Sequence, residues 1–247
     1  MKKVPAQKSK TEARIEPKTI TGAMLLSHQL MSTLTAMKWS LKMLNQGDFG
    51  QMSKEQKNIT EKIDQRNDIL ITLANRVLHT SKLEDEKYCC NPGVVNMEEA
   101  VNTIMGYCKE SAAKKSIAIE YTKLTEKIPA ILADEEMVKI AIQNIFDNAI
   151  KYSLEGGSIK VSLGFNDKNV ELKIQDSGIG VPDSQKEHLF HKFFRAGNAI
   201  KLSAAGSGLG LFISKNIIEA HNGKIWFDSE ENKGSTFYLS LPIKMVE

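Results

Sequence analysis

Cysteine is scarce in this chain: Cys89, Cys90 and Cys108 are the only three in 247 residues, two of them adjacent and none in a C-x-x-C pair. That number and spacing exclude a disulfide framework and a thiolate zinc site, and they fit a reducing compartment. Also missing is any run of about 18 apolar residues, the length a bilayer-spanning helix needs. The basic N-terminus likewise lacks the apolar core of a signal peptide. A soluble chain with no membrane contact of its own is the expectation. Neither sign of charge dominates. The net charge is +3, and most of it comes from six cations in the first 22 residues (Lys2, Lys3, Lys8, Lys10, Arg14, Lys18) set against Glu12 and Glu16. A nucleic-acid binder spreads such residues over a folded face, so no nucleic-acid partner is expected.

What is present is ordinary globular material, 41% hydrophobic and 26% charged, enough for one large domain or two small ones. The patterning favours two. Residues 1–22 are polar, carry Pro5 and Pro17, and read as a tail or linker. From about Met24, Leu30, Leu34, Met37, Leu41 and Leu44 step by four and three, the seam of a coiled-coil-like helix that stops at Asn45-Gln46-Gly47-Asp48. A capping box, Ser53-Lys54-Glu55-Gln56, predicts a second helix with the same step through Ile59, Ile63, Arg66, Leu70, Leu73 and Val77, Arg66 being the polar interruption. Two such helices bury too little apolar surface to stand alone, so a homodimeric four-helix bundle over residues 23–90 is expected.

Asn91-Pro92-Gly93 marks a break, and a second domain over 91–247 mixes helices and alternating strands. Helices are predicted near Asn96–Lys114, Asp134–Tyr152 and Gly208–Asn222. Strands are predicted near Ile117–Tyr121, Ile128–Ala133, Ile159–Phe165, Val170–Ile174, Lys224–Ser229 and Ser235–Leu241. Paired strands with separate helices describe an α+β two-layer sandwich rather than a doubly wound parallel sheet.

Several polar constellations sit on these elements. Asn144, Asn148 and Lys151 share one stripe of the long helix, opposite Val138, Ile142, Ile145 and Ala149. Asp176-Ser177-Gly178-Ile179-Gly180 puts a carboxylate at a strand end, followed by glycines where backbone bends or approaches a ligand. Gly206-Ser207-Gly208-Leu209-Gly210-Leu211 opens a helix, where free N–H groups and the helix dipole favour phosphate. Gly234-Ser235-Thr236-Phe237 opens the last strand.

In order and spacing these segments resemble the boxes of two-component sensor histidine kinases. Asn144–Tyr152 is similar to their N box, Asp176–Gly180 to the first glycine box, Phe190–Arg195 to the F box and Gly206–Leu211 to the second glycine box. The resemblance covers about residues 24–242. It implies a dimerisation and phosphotransfer hairpin followed by an ATP-binding domain of the histidine kinase/Hsp90/gyrase type. It further implies that Asp176 accepts a hydrogen bond from the adenine amino group, and that Asn148 with Asn144 holds Mg2+ against the phosphates. Lys151, Tyr152, Gly178, Gly180, Gly206, Gly208, Leu209 and Gly210 become ATP contacts, Thr236 a neighbour of the adenine, and Ala196–Ala205 a mobile lid. A Walker or Rossmann site would need a different glycine pattern.

The same resemblance puts His28 at the phospho-acceptor position and implies transfer onward to an aspartate of a response regulator's receiver domain. It places the chain in the cytoplasm, either as such or as the cytoplasmic portion of a larger membrane-anchored sensor. His79, His188, His191 and His221 lack that context and read as structural. The chain departs from the family at Gln29, where an acidic residue is usual, and at Met31-Ser32-Thr33, where Arg-Thr-Pro is common. An amide orients an imidazole but takes up no proton, loss of the proline straightens the helix near His28, and Ser32 keeps a hydroxyl where the family has a polar residue used in dephosphorylation. An active histidine autokinase is therefore weighed against an ATP-binding scaffold or phosphatase-biased module with a degraded H box. An ATPase of the chaperone or topoisomerase type is a third reading, which the small size and the His-bearing hairpin oppose.

Overall fold

The computed structural model describes residues 22–84, 91–203 and 206–243, with the side chains of residues 22–28, 65, 69, 72, 73 and 75–84 left outside the description. Two long helices come first, α1 (Gly22–Gln46) and α2 (Lys54–Glu84). The capping box forms as the sequence predicts: Ser53 N–H donates to Gln56 Oε1 at 2.8 Å and Gln56 N–H to Ser53 Oγ at 3.2 Å.

The apolar stripes of the hairpin divide between two faces. Leu41 is buried and Leu34 and Leu44 half-buried, but Leu30, Met37, Ile59, Ile63 and Leu70 are 41–58% exposed. The residues of α2 that turn inward are Thr60, Asp64, Asn67, Ile71 and Ala74, one position along from the predicted seam. Polar partners on α1 explain the offset. Thr60 Oγ1 donates to Asn45 Oδ1 (2.8 Å), Lys38 Nζ bridges Asp64 (2.9 Å) and Asp68 (2.8 Å), and Asn67 Nδ2 donates to Leu34 O (2.9 Å). Arg66 is exposed, and the buried polar residue is its neighbour Asn67. Leu73 and Val77 lie in α2 with side chains outside the described set.

The second unit runs β1 (Gly93–Val95), α3 (Met97–Ala113), β2 (Ala118–Lys123), β3 (Ile131–Ala133), α4 (Glu135–Tyr152), β4 (Ser158–Phe165), β5 (Asn169–Asp176), α5 (Gly197–Leu202), α6 (Gly210–Ala220), β6 (Lys224–Glu230) and β7 (Gly234–Pro242). Asn96 caps α3, its Oδ1 accepting from the N–H groups of Glu98 (3.0 Å) and Glu99 (3.4 Å). Asp134 does the same for α4 through Met137 N–H (3.1 Å). The strand expected from Ile128 begins only at Ile131, beyond Pro129, which has no N–H to give a ladder. Its partner β1, antiparallel to it, escaped the sequence reading.

The main sheet has the order β2-β4-β5-β7-β6, with β2 parallel to β4 and every other pair antiparallel. Asn166 closes the β4–β5 hairpin by accepting the N–H groups of Lys168 (3.0 Å) and Asn169 (2.9 Å). Alternate residues on one face, among them Val161, Leu163, Leu172, Ile174, Leu239 and Leu241, pack beneath α3, α4 and α6 in one core. The other face is polar and carries Trp226 stacked on Tyr238 at 5.1 Å. This is the two-layer α+β sandwich behind a helical hairpin that the sequence predicted. Among the described residues no helix is long and apolar enough to cross a membrane.

Phe146, on α4's apolar face, is the largest fully buried side chain of this layer. Phe146→Ala is expected to destabilise the sandwich by about 3–5 kcal/mol, read as a lower urea midpoint with the m-value unchanged.

Candidate functional site

One cavity gathers most of the residues singled out above. It lies between α4, the loop after β5, the α5 segment and the start of α6. Asn148, Lys151, Tyr152, Asp176, Gly180, Gly206, Gly208 and Gly210 line it. Amphipathicity of α4 produces this wall: Val138, Ile142, Ile145 and Ala149 are buried in the core, so Asn148, Lys151 and Tyr152 are left along the cavity edge.

Asp176 closes one end. The residue is 6% exposed, and its Oδ1 accepts the N–H groups of Gly178 (2.9 Å) and Ser235 (3.2 Å). Burial raises its pKa to about 6, with those two backbone donors opposing the rise. The loop beyond it needs glycine at 180, where φ is +59° and a Cβ would stand 1.9 Å from Glu230 O. At the other end Gly208 has φ +69°, and a Cβ there would meet the Phe193 carbonyl carbon at 2.5 Å. Helix α6 begins at Gly210, and its first residues Gly210 and Leu211 line the cavity, which puts a helix N-terminus, with its unpaired N–H groups and positive dipole end, on the cavity wall. Lys151 Nζ lies over the Tyr152 ring (5.2 Å to its centre) and 2.6 Å from where a Cβ on Gly206 would be.

Four residues expected at the site lie off its lining. Asn144 is buried one turn behind Asn148, its Oδ1 3.4 Å from the Cβ position of Gly210 and its Nδ2 without a hydrogen-bond partner among the described residues. Leu209 points into the core. Gly178 packs against Tyr152 O, 2.5 Å from its Cβ position. Thr236 faces the opposite side of β7, in a shallow polar depression with Gln175 and Asp228, whereas Ser235 and Phe237 line the cavity. Strand alternation is the reason, and the inward positions Phe237, Leu239 and Leu241 already carried that signal.

Asp147, Phe194 and Arg195 also line the cavity, although the sequence reading gave them no individual role. Gln143 Nε2 donates to Asp147 Oδ1 at 2.8 Å. Arg195 donates to the carbonyls of Ala199 (3.3 Å) and Ser203, and so caps α5. The segment expected to form a mobile lid, Ala196–Ala205, carries a short helix over Gly197–Leu202. Ala199 is buried with Val181 and Ala196, Asn198 Nδ2 donates to Gly180 O (2.9 Å), and Gly197 N–H donates to Gln185 Oε1 (2.8 Å). Residues 204 and 205 lie outside the described set.

Away from the cavity, His28 falls within α1 with its side chain outside the described set, as does His79 in α2. Gln29 and Ser32 are exposed. Thr33 Oγ1 donates to Gln29 O (3.1 Å), engaging the carbonyl that a proline at 33 would have left unpaired. Such back-bonding itself bends helices slightly. His221 is structural: its Nε2 accepts from Asp134 N–H (3.0 Å), so the proton sits on Nδ1, which donates to Ile217 O (2.7 Å). No group of three or more His, Cys, Asp or Glu among the described residues converges as a metal site.

Comparison with known proteins agrees with this geometry. Residues 133–245 match the family described as histidine kinase-, DNA gyrase B-, and HSP90-like ATPase. The sensor histidine kinase WalK of Bacillus subtilis is 30% identical over 226 residues, 89% of this chain and 36% of that protein. Sensor protein kinase WalK of Staphylococcus saprophyticus is 29% identical over 90% of this chain and 36% of its own length. Among solved structures, full-length ShkA in complex with AMPPNP shares the fold over 93% of this chain and 47% of its own, at TM-score 0.73 and 23% identity. The catalytic domain of histidine kinase ThkA matches 62% of this chain and 97% of its own at TM-score 0.54 and 29% identity. The α/β unit is thus an ATP-binding domain of the histidine kinase, gyrase and Hsp90 class. The chain as a whole is a homologue of sensor histidine kinases of the WalK kind, and it spans about a third of the length of those relatives.

The raised pKa of Asp176 has a sign that can be checked. Between about pH 4 and pH 6 the folded state holds a proton that the unfolded state has released, so stability falls as pH rises through this window, and the penalty is complete above it. Asp176→Asn is expected to be more stable than the parent at pH 8, by up to about 3 kcal/mol, with the difference vanishing near pH 4 in chemical denaturation. Equal stabilities at pH 8 would contradict the assignment.

Proposed function

We propose that the chain is an ATP-dependent protein-histidine autokinase that phosphorylates His28 and passes the phosphoryl group to an aspartate of a response-regulator receiver domain. Residues 23–90 serve as the dimerisation and phosphotransfer hairpin and 91–247 as the catalytic domain. The observation that carries this reading is the convergence of Asn148, Lys151, Asp176 and the N-terminus of α6 on one cavity. A buried carboxylate at one end suits the adenine amino group, and free helix N–H groups with a lysine at the other suit phosphates.

Asp176 accepts from the adenine amino group, and the Gly206–Gly210 backbone with Lys151 cradles the phosphates. Magnesium fits the donors present, because the amide oxygen of Asn148 and the carboxylate of Asp147 are hard oxygen ligands on one cavity wall, suited to an ion that retains water. Asn148 is its direct ligand, and Asn144, one turn behind, backs the start of α6. When bound, the ion offsets the charge of the phosphates. A ring nitrogen of His28 then forms a bond to the γ-phosphorus in line with the departing ADP oxygen. The imidazolium so formed loses its other proton. Gln29 orients the ring but cannot accept that proton, which therefore passes to solvent.

The hairpin's exposed stripe of Leu30, Met37, Ile59, Ile63 and Leu70 supports a second copy as its cover. Ile63→Glu combined with Leu70→Glu is expected to halve the mass measured by light scattering. An unchanged mass would remove this role from the stripe.

Gln29 and the exposed Ser32 also support a second reading, a phosphatase-biased scaffold that binds ATP without phosphorylating itself. Incubation with γ-labelled ATP and magnesium separates the two. The autokinase gives protein-bound label that is stable to alkali, labile to acid, lost in His28→Gln, and formed faster by at least about tenfold in Gln29→Glu, which restores a base. ATP binding with no label in either the parent or Gln29→Glu would favour the scaffold.

A further inference from the structure

Lys115 stands outside the cavity, on the short connection between α3 and β2, with its side chain half-buried. Its ammonium donates to three backbone carbonyls: Ile150 O (2.9 Å), Lys151 O (2.7 Å) and Ser153 O (3.3 Å). Those oxygens belong to the C-terminal end of α4. The last four carbonyls of any helix have no partner within it, and here each is accounted for. Ala149 O takes Ser153 N–H (3.0 Å), Ile150 O and Lys151 O take Lys115, and Tyr152 O takes Ile179 N–H (3.2 Å). A cation in this place is also favoured by the negative end of the helix dipole. The main chain adds a further tie, since Lys115 O accepts Gly156 N–H at 2.9 Å.

The turn held in this way carries Lys151 and Tyr152, both on the cavity wall. Through Tyr152 O and the Ser153–Gly178 bridge it is also joined to the loop that follows Asp176. Two walls of the cavity, the last turn of α4 and the loop after Asp176, are therefore registered against each other.

We propose that Lys115 is a positioning residue for the nucleotide site: its ammonium closes the C-terminus of α4 and so fixes Lys151 and Tyr152 relative to the Asp176–Gly180 loop. The inference rests on the reading of the cavity as an ATP site, and it makes a claim of its own about backbone order that needs no ligand.

The test uses the full chain with Lys115→Met and Lys115→Arg, and amide hydrogen exchange alongside binding of a fluorescent ATP analogue. In the methionine variant the amides of Ser153 and Ile179 exchange faster by about tenfold or more, because the three carbonyls at the end of α4 have lost their donor, while amides in the centre of β4 and β5 keep their protection. ATP-analogue affinity of the folded protein falls by a similar factor, and arginine, which keeps cationic donors, restores most of both. A residue that merely adds stability would lower the melting temperature and leave the dissociation constant and the local exchange pattern alone, which would overturn the proposal. Exchange and affinity in the arginine variant as poor as in the methionine variant would overturn it too. If the methionine variant does not fold, Lys115→Gln carries the same two readouts. Failure of the parent chain to bind the analogue would sink the ATP-site reading, whereas exchange at Ser153 and Ile179 still decides the role of Lys115.

Discussion

Helix α4 has to satisfy two solvents at once, and the rest of the catalytic layer is arranged around that requirement. One side of it is a continuous apolar surface sealed against the sheet and α6, with Val138, Ala141, Ile142, Ile145 and Phe146 almost wholly buried. The adjoining edge, less than half a turn away, must stay polar and open, because Asn148, Lys151 and Tyr152 form a wall of the cavity. Such a helix cannot roll or slide to relieve strain without exposing core or burying charge. Its ends are fixed accordingly, by the Asp134 cap and the link to His221 at the start and by the carbonyls gathered at the finish. The cavity inherits its precision from this helix.

Which parts of this were visible in the sequence follows from how each is encoded. Positions that demand a particular residue type were legible. At 180 and 208 only a residue without Cβ will do, Asp176 ends its strand just before the first of these glycines, and the apolar stripe of α4 repeats over five turns. Short elements were not legible. The six-residue α5 is too brief for periodicity, and the ties that order it come from Gln185, Asn198 and Arg195, which have no pattern in common. Thr236, expected as a neighbour of the adenine, lies on the face of β7 opposite Phe237, and the spelling of the motif does not show that alternation, whereas Ser235 and Phe237 line the cavity. Lys115 was silent for another reason: its partners are main-chain carbonyls, which leave no trace in the sequence.

The hairpin shows the same division. Its heptad step is real, yet the inward face of α2 is the neighbouring row, chosen by Thr60, Asp64 and Asn67 finding hydrogen-bonding or charged partners on α1. Polar contacts thus settle how the two helices of one chain meet, and the apolar residues they displace turn outward. A side chain that can satisfy a donor locally wins its place over one that only removes area from water, because an unsatisfied buried donor costs more than a methylene left exposed.

The strand order gives the chain a freedom that the site alone would not suggest. β5 and β7 are hydrogen-bonded neighbours, and between them the chain departs at Ser177, builds both glycine loops, α5 and α6, and returns as β6. Helix α5 (Gly197–Leu202) thus belongs to an excursion between strands whose pairing does not depend on its length. Closing a longer excursion costs entropy only logarithmically, roughly 0.6 kcal/mol for each doubling. Insertions and deletions beside the cavity therefore leave the sheet register untouched, and this side of it can diversify while the floor beneath stays the same.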